Sequence, residues 1–372
     1  MRSRKSSGEP PLRAGDVVEV KSAAEIHATL DSDASIDGMP FMPEMLQYSG
    51  KRFTVSHRVE KICDTVSGGP PNSRRMRDAV LLEDLRCDGS GHGGCQAGCR
   101  IYWKESWLRR VQPGAVAESS NRNGSPLQDG DLIGQLEELT RESTRAMRDV
   151  NGESVESYRC QATEAMRATE PLRDYDPRQY IREVASGNVA LSRLLRVGVR
   201  ALSGLVRRRL KLLSYLPLQQ SGVAARIQRP LRRQPPSQNG GGVPAREPLN
   251  LRPGDTVQVR SPKEIAPTID KSGRMRGLYF DWEMKPYCGG RYRVRDRVER
   301  IIDEQTGQMI EISSDCLILD GVSCGGENSR GRWFCPRAIY PYWREAWLER
   351  VEDASPSPSR KSGDRAADPS QR

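Results

Sequence analysis

Short stretches in which apolar and polar residues alternate occupy both ends of the chain. Gly15-Asp16 leads into Val18 and Val20, and Gly254-Asp255 leads into Val257 and Val259, each pair split by one polar residue. A turn dipeptide feeding a period of two predicts a half-buried strand. Arg52-Phe-Thr-Val and Arg291-Tyr-Arg-Val alternate in the same way, and Ala79-Val-Leu-Leu and Cys316-Leu-Ile-Leu are apolar runs of strand length. Residues 23–30 and 262–269 suit a short helical turn. Residues 103–111 and 343–351 fit a final strand or a short helix equally well. The pattern changes in the middle. Leu132, Leu136 and Leu139 give residues 129–149 helical spacing, residues 154–167 read as helix, and Pro177 after Asp176 suits a first helical position for 177–184.

These signals repeat. Residues 12–64 align with 251–303 without a gap, and twenty-four of the 53 pairs are identical. Leu12-Arg-Ala-Gly-Asp-Val-Val-Glu-Val faces Leu251-Arg-Pro-Gly-Asp-Thr-Val-Gln-Val, and Trp103-Lys-Glu-Ser-Trp-Leu faces Trp343-Arg-Glu-Ala-Trp-Leu. A repeat of this strength fixes the organisation before any detail. The opening Leu-Arg-x-Gly-Asp-x-Val-x-Val resembles the first strand of an SH3-like barrel, a fold that hosts many functions. The expected architecture is mainly β with a helical middle: two tandem SH3-like small barrels joined by a helical segment and a flexible linker. In chain order this gives a disordered N-terminus (1–10), a first Cys/His module (11–113), a helical, basic middle region (129–216), a Pro/Gly-rich linker (217–249), a second module (250–352) and a disordered tail (353–372).

Composition narrows the setting. Hydrophobic residues make up 36% of the chain, mean hydropathy is −0.69, and there are 34 Gly and 25 Pro, so the cores are small and turns are many. No apolar run approaches the ~18 residues of a membrane span, and the first residues lack the apolar stretch of a secretory signal. A cytoplasmic location is expected, and nine cysteines in a reducing compartment read as metal ligands or reactive thiols rather than disulfides. The net charge of +10 is local: residues 186–233 hold eleven Lys/Arg and no Asp/Glu, which leaves the rest close to neutral. Any polyanion contact therefore belongs to the middle. Arg193, Arg196, Arg200, Arg207, Arg208, Arg209 and Lys211 sit among apolar residues there. They suit an anionic membrane surface, with a position peripheral to the inner membrane, or nucleic-acid phosphates, or packing on the modules with Arg facing water.

The densest chemistry is the run Cys87-Asp-Gly-Ser-Gly-His92-Gly-Gly-Cys95-Gln-Ala-Gly-Cys99, with Cys63 upstream. Thiolates and imidazole select zinc, iron or copper, and the five glycines let the chain fold back on one ion. Cys87, His92, Cys95 and Cys99 are the expected ligands, with Cys63 as a spare. Zinc is the expected metal; iron, an iron–sulfur cluster, or no metal are the alternatives. In the second copy Cys335 matches Cys95 and Cys324 matches Cys87 across a short gap, while Ile339 and Ile302 replace Cys99 and Cys63. Cys288, Cys316, Cys324 and Cys335 could form a separate all-thiolate site, or the copy is kept for packing. Trp103, Trp107, Trp343 and Trp347 read as core or as a ligand-stacking surface, Met39, Phe41, Met42, Met45 and Leu46 as an apolar patch that is either core or a partner groove, Cys160 as a buried helical thiol or else a further ligand or nucleophile, and His27 and His57 as surface residues. No Walker loop, dinucleotide fingerprint, nucleophile elbow or metalloprotease helix is present.

Phe41-Met-Pro-Glu-Met, Cys63-Asp-Thr, Leu85-Arg-Cys-Asp-Gly with His92-Gly-Gly-Cys-Gln-Ala-Gly-Cys, Trp103-Lys-Glu-x-Trp-Leu and Tyr158-Arg-Cys-Gln-Ala-Thr-Glu together resemble a group of cysteine-rich bacterial proteins encoded near polysaccharide and secondary-metabolite biosynthesis genes. The resemblance covers most of the chain and implies context rather than chemistry. The expected function is a metal-binding accessory or interaction protein in a bacterial biosynthetic pathway, with a protein partner or pathway enzyme. Two alternatives stand beside it: a metal- or thiol-dependent enzyme acting on a small molecule or glycan, and a nucleic-acid or membrane-surface binder working through the basic segment.

Overall fold

The structure is a computed structural model that describes residues 10–67, 73–111, 126–150, 153–174, 176–200, 203, 248–327 and 332–351. It is mainly β with some helices. In the first half, β1 (Val17–Val20), β4 (Arg52–Arg58), β7 (Ala79–Arg86), β8 (Arg100–Lys104) and β9 (Leu108–Arg110) form one antiparallel sheet in the order β8-β7-β4-β1-β9, curled into a half-barrel. Between β1 and β4 lie α1 (Ala23–His27), the hairpin of β2 (Ser35–Ile36) and β3 (Met39–Pro40), and a 3-10 turn over Pro43–Tyr48. Ser22 caps α1, accepting from the Glu25 amide while the Glu25 carboxylate accepts from the Ser22 amide. The short pairing of β5 (Ile62–Cys63) with β6 (Ser73–Arg75) completes this half.

The second half runs through the same order. Its main sheet places Leu317–Leu319, Arg291–Arg297, Thr256–Val259 and Leu348–Arg350 side by side. Ser261 and Glu264 reproduce the Ser22–Glu25 cap. The register agrees too: Val18 pairs Phe53 as Val257 pairs Tyr292. Both inner strands carry a bulge at the same place, between Val55 and His57 and between Val294 and Asp296. Each core is built around aromatic edges. Phe41 meets Trp107 at 5.2 Å, and Phe280 meets Trp347 at 5.3 Å. Trp103, Trp107, Trp343 and Trp347 are fully buried, and Met39, Phe41, Met42 and Met45 lie in the first core. The segment left open between strand and helix resolves as both: β8, a single 3-10 turn over Glu105–Trp107, then β9.

The middle region departs from its helical reading. α2 (Pro126–Thr144) gives way to β10 (Arg145–Val150), which pairs along its whole length with β11 (Glu153–Tyr158). The helix expected over 154–167 is reduced to α3 (Gln161–Glu164). The residues separating the two strands, Asn151-Gly152, are the strongest short-range hairpin signal a sequence can carry. β12 (Glu170–Leu172) extends the β5–β6 pairing, and α4 (Arg178–Ala185) follows Pro177 as its spacing predicts.

The middle region is stitched to the first half. β8 is an edge strand, and Gln161 closes that edge: the Tyr102 amide donates to Oε1 at 2.7 Å, and Nε2 donates to the Tyr102 carbonyl at 2.8 Å and the Pro40 carbonyl at 3.0 Å. Asn188 brackets Arg58, accepting from its amide and donating to its carbonyl, both at 2.7 Å. The halves also touch directly. Gln96 donates its amide to the Arg300 carbonyl at 3.0 Å and accepts the Glu299 amide at 2.7 Å. No helix among the described residues is long and apolar enough to cross a membrane.

Candidate metal centre

The glycine-rich loop 87–99 joins β7 to β8. Its mouth is closed by the Cys87 amide donating to the Cys99 carbonyl at 2.8 Å. Inside it, the His92 and Gly94 amides both donate to the Gly89 carbonyl, at 2.9 and 3.0 Å. This tight coil requires glycine at 89, which has φ +76° and where a Cβ would sit 2.1 Å from the Cys95 carbonyl oxygen. The coil turns His92 inward until it is 1% exposed.

There it meets Glu44, delivered from the Pro43–Tyr48 turn. His92 Nδ1 lies 3.2 Å from Glu44 Oε1, and the Cys87 thiol donates to the same oxygen at 2.8 Å. One donor atom each from Glu44, Cys87 and His92 falls within 4.8 Å of the others, the one such three-residue group among the described residues. Neither ring nitrogen of His92 nor Glu44 Oε2 makes a well-directed hydrogen bond there. Buried polar atoms without partners are rare, and three in one place fit a shared ligand of the type that oxygen, sulfur and imidazole donors take together. Gly91 guards the approach, since a Cβ on it would stand 2.7 Å from Glu44 Oε2.

The electrostatics are those of tightly coupled buried groups. Burial pushes the Glu44 carboxyl up, but the close polar contact and charge of His92, with the Cys87 hydrogen bond, outweigh it and hold the group below the usual glutamate range. The Cys87 thiol is pushed far up, by burial first and then by the Glu44 charge.

The remaining expected ligands are not part of this three-residue group. Cys95 accepts the Ile302 amide of the second half at 3.4 Å. Cys99 is half-buried as a residue, and the shielding of its sulfur raises the thiol to about 12. Cys63 faces Cys335, and its amide donates to the Cys335 sulfur at 3.1 Å. Among the described residues, Cys63, Cys95 and Cys99 join no three-ligand group, and neither do Cys288, Cys316, Cys324 and Cys335. In the second half Cys324 repeats the Cys87 position, its amide donating to the Ile339 carbonyl at 2.8 Å, and burial followed by the Glu283 charge raises its thiol to about 12. That half has no counterpart of His92.

Glu44 is the member of this group that sequence reasoning missed. Its signal was a carboxylate set among Met39, Phe41, Met42 and Met45 and kept as Glu283 in the other copy. His57, expected at the surface, sits half-buried on β4, where burial first, then the charges of Arg100 and Arg193, lower its pKa to about 4. Within the basic segment, residues 191–200 are helical. Arg193 Nε donates to Glu327 at 2.8 Å, Arg196 and Arg200 are exposed, and Arg207, Arg208, Arg209 and Lys211 lie outside the described residues. No family model, curated protein or solved structure matches the chain.

Proposed function

We propose that this chain is a metal-binding accessory protein in which Glu44, Cys87 and His92 hold one divalent transition-metal ion, zinc by preference. The observation that carries the reading is the gathering of three chemically different donors, two buried and Cys87 half-buried, from two separate segments, within 4.8 Å of one another. One sulfur, one imidazole nitrogen and one carboxylate oxygen form a borderline set that suits zinc. The ion would tie the glycine loop to the 3-10 turn, so that binding energy becomes stability of a segment that has little core of its own. Each half then reads as a small SH3-like barrel, the first with a stapled loop and the second without. The likeness to cysteine-rich bacterial proteins supports a place beside biosynthetic enzymes in the cytoplasm, with a protein as partner. The exposed Arg196 and Arg200 leave the basic helix open to an anionic surface.

One observation favours a catalytic reading as the second choice. The site has three protein donors rather than four, and Cys87 also lines a cleft of about 220 Å³ together with Arg86, Asp88, Arg295 and Tyr340. Structural zinc sites are closed by four protein ligands, whereas catalytic ones keep a position open.

Elemental analysis of anaerobically purified protein tests the main reading. The full chain, Cys95→Ser and Cys99→Ser should each carry one equivalent of metal, and Cys87→Ser and His92→Ala should carry almost none. Loss of metal from Cys95→Ser with retention in His92→Ala would overturn it. In cobalt-loaded protein, a visible spectrum that changes on adding azide would favour the catalytic reading.

A further inference from the structure

We propose that Cys63 and Cys335 are a redox-modification site, converted to a disulfide between the two halves of the molecule by a small disulfide oxidant. The two residues stand 272 positions apart in sequence, yet the Cys63 amide donates to the Cys335 sulfur at 3.1 Å and the two thiols share a hydrogen bond. Both are buried, at 5% and 8% exposure. Arg337 fixes the surroundings, donating to the Cys63 carbonyl at 3.2 Å, to Thr65 Oγ1 at 2.9 Å and to Glu304 Oε1 at 2.6 Å. Arg332 holds the next residue, donating to the Asp64 carbonyl at 3.2 Å.

The duplicated architecture supplies an internal control. On the other side of the boundary the same approach is made by Cys95, the residue aligned with Cys335, which accepts the Ile302 amide at 3.4 Å. Ile302 is aligned with Cys63. The loop-to-strand contact is therefore formed equally with an isoleucine, and packing alone does not call for a thiol at 63. The thiols also differ in state. Burial raises Cys99 to about 12 and Cys160 to about 11, whereas the hydrogen bond shared with Cys335, against burial and with help from the charges of Arg337 and Arg332, holds Cys63 below the ordinary thiol range and its partner Cys335 above it. Low thiolate pKa is what makes a cysteine attack disulfides.

The step balances with one oxidant molecule. The Cys63 thiolate attacks one sulfur of the small disulfide, breaking its S–S bond, forming a mixed disulfide and expelling one thiolate. Cys335 gives up its proton to that leaving group, and its sulfur then attacks the Cys63 sulfur and expels the second thiolate. Two protein thiols lose two electrons, and one small disulfide becomes two thiols.

Treating the full chain with bis(2-hydroxyethyl) disulfide, then blocking free thiols with N-ethylmaleimide in denaturant and digesting, should yield one peptide pair joined through Cys63 and Cys335. It should be lighter by two hydrogens than its parts and be separated by reductant. In Cys335→Ser, Cys63 should instead retain a hydroxyethylthio adduct. Recovery of both residues as maleimide adducts while Cys288 is converted would overturn the proposal, and so would linkage of Cys63 to any other cysteine. The same cross-link should form in His92→Ala, which separates this site from the metal centre.

Discussion

Gln161 offers the sharpest test of how the middle region is held. Its amide satisfies three backbone groups at a sheet edge: the N–H and C=O of Tyr102 and the C=O of Pro40, at 2.7, 2.8 and 3.0 Å. The side chain is 3% exposed, so water does not replace it when it is removed. Gln161→Met keeps the volume and deletes the bonds. An orphaned buried amide N–H costs about 1–3 kcal/mol, and two carbonyls losing a donor add about 1 kcal/mol between them, giving about 3 kcal/mol. Gln161→Ala adds a cavity, and the total rises to about 4–5 kcal/mol. Against a domain stability of about 5–15 kcal/mol, either change is large. Urea denaturation followed by tryptophan fluorescence reads it directly, since Trp103 follows Tyr102 on the same strand. A loss below about 1 kcal/mol for Gln161→Met would refute the claim that this side chain closes the edge of β8.

Two further outcomes follow from the same geometry. His57 is held near 4 against its ordinary 6.5, so the unfolded chain takes up the proton first on acidification; the stability it contributes is complete above pH 6.5 and is lost as the pH falls towards 4. Between about pH 7.5 and about pH 4.5 the full chain should lose about 2.5 kcal/mol more than His57→Gln, as measured by urea midpoints; equal losses would contradict this. Gly91→Ala presses a methyl against Glu44 Oε2 while leaving all three proposed ligands in the sequence. It should weaken zinc binding by at least about tenfold in a competition titration with a chromophoric chelator, and unchanged affinity would remove Glu44 from the site.

The chain pattern made some of this structure legible and hid the rest for identifiable reasons. Val18, Val20, Val257 and Val259 alternate with polar neighbours because one face of each strand is core, and all four are fully buried. Paired tryptophans read as core because they are core. The β10–β11 hairpin was hidden because Arg145-Ala-Met-Arg-Asp-Val follows a helix without a break and only Val150 among its residues has strong strand propensity; Asn151-Gly152 was the sequence cue that outranked them. Cysteine spacing gave the site its loop and two of its members. It gave no access to Glu44, because that residue lies in another segment and only packing brings it near. Nor did it reveal that Cys63 turns away from the loop to meet Cys335, since a contact between separate halves leaves no mark in local spacing.

The ligand set is the heart of this account, and X-ray absorption at the metal edge reads it most directly. Protein reconstituted with one equivalent of zinc should show a single sulfur neighbour at about 2.3 Å, with the remaining neighbours nitrogen or oxygen at about 2.0–2.1 Å. Three sulfur neighbours would mean that Cys95 and Cys99 join Cys87, and that Glu44 and His92 do not define the centre.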